Sequence, residues 1–135
     1  MRIAARMGRG GPSSIYYPEI DEIKPPYEEQ GLPTEEVTVA EVLRDRGYQT
    51  FHIGKWHLGP VPYSPLEHGF DLDIPHSPEP SPLAGGFFYP FPIYDSHGKP
   101  GDNLEDLMCD EAVKYIHAHK DEPFFLNYWA WEVHA

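Results

Sequence analysis

Lys55 and His57 stand two residues apart in the run Gly54-Lys55-Trp56-His57-Leu58-Gly59. The lysine offers a fixed positive charge to a sulfate or phosphate oxygen. The imidazole can give or take a proton near neutral pH. In an extended segment, positions two apart point to the same side, which would turn Trp56 the other way, into packing. A cation and an imidazole presented together suit an anionic, tetrahedral substrate whose reaction needs proton transfer. Taken alone, the Lys-x-His spacing describes equally well a surface lysine and a structural histidine beside a turn.

Two further polar residues fall at suggestive places. His134 follows the apolar run Phe124–Trp131, where a histidine can also simply cap a strand end. Ser77 lies in Ile74-Pro75-His76-Ser77-Pro78, a context that also suits an ordinary turn serine. His52, His68, His97, His117 and His119 show no metal-ligand spacing. His117 and His119 diverge on a helix rather than converge. Asp71 and Asp73 read as a solvated turn, since no further carboxylates follow at the spacing of a calcium loop. Cys109 reads as a buried thiol within a helix. As the single cysteine, it leaves no intrachain disulfide framework and no Cys-type zinc site.

The elements that must position these groups can be read in outline. Thr38 and Glu41 form a capping box that starts a helix over about Val39–Arg46, with Val39, Val42 and Leu43 as an apolar stripe. Gly47 sits where a left-handed residue ends such a helix. Tyr48–Ile53 has strand character. Asp102 or Asn103 caps a second helix over about Leu104–His119, with acidic residues early and basic residues late. Asp121-Glu122-Pro123 ends it. Phe124–Trp131 is nearly all apolar, as expected of a strand covered on both faces. The order helix–strand, long loop, helix–strand fits an α/β fold with a parallel sheet. Sites in such folds lie beyond the carboxyl ends of the strands, where Lys55, His57 and His134 all fall.

Composition narrows the partners. The formal net charge of −12 over 135 residues argues against nucleic acid or an anionic membrane surface as the main partner, yet leaves room for a small anion held by a local Lys/His cluster. Sixteen prolines and twelve glycines cluster in residues 8–33 and 60–101, and residues 1–33 and 60–101 read as largely irregular loop. No apolar run is long enough to span a bilayer, and the basic start lacks the apolar stretch of a signal peptide.

The motifs also carry a family resemblance. Gly31-Leu32-Pro33, then Glu36-Val37-Thr38-Val39-Ala40-Glu41-Val42-Leu43, Gly47-Tyr48 and Gly54-Lys55-Trp56-His57-Leu58-Gly59 resemble the sulfatase family, closest to its arylsulfatase A and N-acetylgalactosamine-6-sulfatase group. His68-Gly69-Phe70-Asp71 and the run Pro123-Phe124-Phe125-Leu126 leading to His134 extend the match in the right order. The resemblance implies part of an alkaline-phosphatase-like α/β domain and hydrolysis of a sulfate ester of a small molecule or sugar. It implies that Lys55 contacts the sulfate and helps polarise the nucleophile. His57 assists breakdown of the sulfated intermediate. His134 holds the ester and helps protonate the leaving oxygen, and Ser77 contacts substrate. Arg2 matches, over a short stretch, an arginine that supports the nucleophile. An exported or lysosomal location follows by the same analogy.

The family's formylglycine nucleophile arises from a Cys/Ser-x-Pro/Ala-x-Arg motif upstream of the Gly-Lys-Trp-His element, and this sequence has none. The aspartate and Asp-Asn pairs that hold calcium in the family are also not in this sequence. The expectation is therefore an internal piece, residues 1–135, of a sulfatase catalytic domain, completed by the remainder of that domain and inactive and poorly folded by itself. Two other readings fit the residues. One is a phosphohydrolase or phosphonate hydrolase of the same superfamily, and the other is a non-catalytic remnant that kept the scaffold.

Overall fold

A computed structural model describes residues 31–79, 81–82, 86–94 and 98–132. Arg2 and His134 lie outside the described residues. The first helix, α1, spans Val39–Arg44. Thr38 caps it: its hydroxyl accepts from the Glu41 N–H at 3.1 Å, while the Glu41 carboxylate accepts from the Thr38 N–H at 2.6 Å. The Thr38 hydroxyl also donates to the His68 carbonyl at 2.7 Å, tying the helix start to a distant turn. The helix stops two residues earlier than the pattern predicts. Asp45 caps it, and Gly47, at φ 84°, lets the chain reverse.

β1 (Gln49–Gly54) follows at once, and β2 (Leu72–Ile74) comes after a 3₁₀ turn over Pro65–His68. α2 spans Leu104–His119, with the Asn103 side chain accepting from the Glu105 N–H, and β3 runs over Phe124–Trp129. The three strands form a parallel sheet in the order β2-β1-β3. β2 lies within the stretch that reads as loop. With only three residues it has no periodicity of its own, and pairing with β1 defines it.

As the central strand, β1 is buried on both faces, and its period of two sorts the core into halves. Phe51 and Ile53 face α2. Ile53 packs with Leu104, Met108, Ala112, Phe91 and Trp131, and the Phe51 ring lies 5.2 Å from that of Tyr115. Each large apolar side chain fully buried this way contributes roughly 1.5–3 kcal/mol. Thr50 and His52 face the other side, where Leu32, Ala40, Trp56 and Phe70 form a second cluster with Phe125 packed on it.

Three expectations are corrected here. α1 buries Ala40, the small residue that lets the helix approach the sheet, whereas Val39 and Val42 of the predicted stripe are exposed. Cys109 is exposed, because α2 turns Met108 and Ala112 inward and the next residue lies about 100° around the helix. β3 ends at Trp129 and is half-buried rather than covered on both faces, with Tyr128 and Trp129 exposed. Among the described residues it pairs with β1 alone, so it forms a sheet edge.

Candidate active site at the carboxyl edge of the sheet

The parallel register brings three strand ends to one edge. Ile53 pairs with Ile74, and Gly54 pairs with Trp129. Lys55 is therefore the first residue beyond β1, Ser77 the third beyond β2, and residues 130–132 leave the same edge from β3. The Lys55 N–H donates to the Trp129 carbonyl at 2.7 Å, so the chain carrying the lysine is fastened to the end of β3. Gly54 makes this approach possible. Its φ is 107°, and an added Cβ would lie 2.7 Å from the Trp129 carbonyl carbon, too close for any side chain.

Lys55 is half-buried, and desolvation lowers its pKa from the ordinary lysine value. Trp56 is buried, as the sequence predicts, and its indole N–H donates to the Tyr63 carbonyl at 2.8 Å. His57 is exposed and adopts φ 55°, a left-handed conformation unusual for a bulky residue. Residues 55–57 have thus left the strand, so the alternation of an extended segment does not set their directions. Such backbone outliers concentrate at functional sites.

Ser77 is partly buried, and its hydroxyl accepts from the Glu79 N–H at 3.2 Å, closing a local turn. It lines a small cavity of about 30 Å³ together with Trp56, Gly59, Ser64, Asp73 and His76. The serine loop therefore abuts the segment that follows Lys55. The segment after β3 is anchored on α2: the Glu105 carboxylate accepts from the Trp131 N–H at 2.7 Å and from the Tyr128 hydroxyl at 3.2 Å. That anchor fixes the chain at Trp131.

A cluster that no motif in the sequence marks lies beside this edge. His52 is fully buried, ringed edge-on by Trp56, Phe70 and Trp129. Its Nδ1 lies 3.0 Å from the Asn127 amide, while Nε2 is buried without a hydrogen-bond partner, 4.0 Å from Asp73 Oδ1. The Asp73 carboxylate is 3% exposed and lies 2.7 Å from His76 Nδ1. The expected solvated turn is thus corrected at Asp73, whereas Asp71 stays exposed in a bend. Asp71 accepts from the Thr50 N–H at 2.9 Å, and Asp73 is drawn inside because it opposes His52 across the strand pair. The Asp73-x-x-His76 spacing was visible in the sequence; the register that sets Asp73 against His52 was not.

Burial dominates both titrations. Desolvation pushes His52 down to about 4 against a smaller opposing effect of the Gly54 carbonyl. Desolvation pushes Asp73 up to about 6 against the pull of His76. The two act on stability with opposite sign. As pH falls from 6.5 toward 4 the unfolded chain gains a proton at His52 that the folded one refuses, so stability is lost. As pH falls from about 6 toward 3.8 the folded chain takes the proton at Asp73 first, so stability is gained. Asp73→Asn removes the gain and leaves the loss. Its urea midpoint, followed in steps from pH 7 to pH 4, is expected to fall more steeply than that of the parent. Parallel curves would mean that Asp73 titrates alike folded and unfolded.

On the α1 side, a cavity of about 380 Å³ is lined mainly by apolar groups, among them Leu32, Val37, Leu58, Phe125 and Trp129. It lacks a cation among its lining residues and opens on the α1 face of the sheet. No group of three or more His, Cys, Asp or Glu side chains among the described residues is placed to hold a metal ion. The described residues therefore do not fit the calcium site expected of the family. No described helix is long and apolar enough to cross a membrane.

Comparison with known proteins gives a consistent picture. The family model for the sulfatase domain matches residues 12–135. N-acetylgalactosamine-6-sulfatase of Mus musculus is 34% identical over 120 residues, covering 74% of this chain and 22% of that protein. Arylsulfatase of Hemicentrotus pulcherrimus is 30% identical over 146 residues, covering 93% of this chain and 25% of that protein. Arylsulfatase A of Homo sapiens is 52% identical, covering 77% of this chain and 26% of that protein. The chain spans about a quarter of the length of the curated relatives it matches.

Proposed function

Since the chain belongs to the sulfatase family, we propose that it carries the substrate-facing part of a site that hydrolyses sulfate esters. The observation that carries this reading is the Gly54–Gly59 run leaving the carboxyl end of β1 beside the serine loop that leaves β2. In this reading Lys55 binds a sulfate oxygen and offsets the negative charge that builds up there. Its partial desolvation strengthens that attraction, since less water competes. His57 exchanges a proton with the reacting oxygens, and Ser77 directs its hydroxyl to the ester. His134, outside the described residues, is assigned the leaving oxygen. The nucleophile and the calcium ion expected of the family are not assigned to this chain, and the proposed roles rest on these four side chains alone. Residues 1–135 are accordingly read as part of one catalytic domain. The names of its relatives favour an aryl sulfate or a sulfated sugar as substrate.

Sulfate and phosphate esters share tetrahedral geometry, so the test is a matched pair. The full-length gene product, assayed on an aryl sulfate and the corresponding aryl phosphate, is expected to favour the sulfate by at least about tenfold in kcat/KM, equivalent to about 1.4 kcal/mol. Preference for the phosphate would move the protein to the phosphohydrolase reading. No turnover of either would leave the non-catalytic scaffold.

A further inference from the structure

Resting on the sulfatase reading, the hold of α2 on the end of β3 can be followed into the lysine segment. Glu105, the second residue of α2, binds the chain on either side of Trp129. Its carboxylate accepts from the Tyr128 hydroxyl at 3.2 Å and from the Trp131 N–H at 2.7 Å. The Trp129 carbonyl between them accepts from the Lys55 N–H at 2.7 Å, directly after the Gly54–Trp129 pair that ends the β1–β3 register. The next residue, Trp56, stacks on the Trp129 ring with centroids 6.0 Å apart. Trp129 is thus held on one side by the lysine's own segment and on the other by Glu105.

Glu105 is itself fixed in place. Its N–H donates to the Asn103 side chain at 2.7 Å, and the Asn103 amide donates to Glu132 at 3.2 Å. The neighbouring Leu104 N–H donates to the Phe87 carbonyl at 2.9 Å, and Leu104 and Trp131 are buried in one core cluster with Ile53. Burial, and then the facing Glu105 carboxylate, raise the Tyr128 pKa, which keeps the phenol a donor. An acid in the first turn also suits the dipole of its helix, and the exposed Asp106 supplies the same charge there. The two bonds to the end of β3 set Glu105 apart.

We propose that Glu105 is the positioning residue of Lys55: by clamping the chain on both sides of Trp129 it fixes the carbonyl to which Lys55 is fastened, and so sets where the lysine meets the sulfate. A carboxylate would repel a sulfate at close range; here it acts through the backbone.

The test uses the full-length gene product and two readouts. The first, hydrogen exchange at the Lys55 amide resolved by overlapping peptides, needs no substrate. Glu105→Ala should speed it about tenfold or more, the factor that one hydrogen bond to a charged group represents. Glu105→Gln keeps an acceptor for Trp131 and a partner for Tyr128, and Asp106→Asn removes a first-turn charge alone. Both should stay within about twofold of the parent in exchange and in turnover. The second readout is kcat/KM on an aryl sulfate. Glu105→Ala should lose about tenfold to 100-fold, as a misplaced reacting group does. In a Lys55→Ala background the same change should cost no more than about threefold further, because the group it positions is gone. A general loosening of the fold would repeat its full cost there. Tyr128→Phe removes one of the two bonds, should move both readouts the same way by a smaller factor, and serves if Glu105→Ala does not fold. Unchanged exchange at Lys55, or full additivity with Lys55→Ala, would overturn the proposal. Faster exchange in Glu105→Ala, with no sulfate-ester turnover by the parent, would uphold the clamp on Lys55 and fail the hydrolase reading alone.

Discussion

Gly54→Ala should destabilise the fold by about 3 kcal/mol or more and abolish the site with it. Two independent costs meet at this position. The backbone holds φ 107°, which an L side chain rarely adopts, and a methyl group would press on the Trp129 carbonyl. That carbonyl is the acceptor for the Lys55 N–H, so relief of the clash means breaking the fastening between β1 and β3 at the edge where the site lies. Gly47→Ala is the natural control. Its φ is similarly positive, at 84°, but no atom stands within 4 Å of the added carbon. It should cost only the conformational penalty of about 1–2 kcal/mol. Urea unfolding of both variants of the full-length gene product measures the difference. Equal losses would mean that the close approach at Trp129 is not what demands glycine.

Lys55→Ala should lower kcat/KM for a sulfate ester by roughly 10²–10³-fold, the usual size for removing one preorganised charge-stabilising group. The fold should tolerate it, because the fastening at Trp129 uses the backbone N–H and not the side chain. Lys55→Arg keeps the charge but replaces a compact ammonium by a planar fork, so it should recover only part of the loss. The decisive measurement is kcat/KM on one aryl sulfate, beside a urea midpoint for each variant. A loss under about fivefold in a folded Lys55→Ala protein, well short of a charge-stabilising group's share, would remove the lysine from the anion site.

Much of this arrangement was legible because local chemistry marks it. Thr38 and Glu41 announce the start of α1 and form its cap; Asp102-Asn103 announces α2, and of the two it is Asn103 that caps it. The Gly-Lys-Trp-His run, set after a β-like stretch, identified the edge of the sheet. What stayed hidden depends on partners distant in sequence. Asp73 and Asp71 look alike in the sequence, yet only Asp73 sits opposite His52 in the register and is drawn under cover. His52 lacks any local sign of importance, because Trp56, Phe70 and Trp129 enclose it from three different segments. The valines of α1 look like a core stripe, but the sheet accepts the smaller Ala40 instead. Periodicity shows that a helix has an apolar side; it does not show how close that side comes to its neighbour.

The pairing of β1 with β3 also sets a timetable. His52 and Asn127 are 75 positions apart, and among the described residues no strand between them offers β1 this partner. At a synthesis rate of about 5–20 residues per second, β1 leaves the ribosome roughly 4–15 s before the strand that completes its second side. During that interval the imidazole that will be sealed among three aromatic rings is still wet and free to take a proton. Closure of the long loop is therefore also the moment at which this histidine is stripped of water, and the Lys55 segment gains its anchor in the same event.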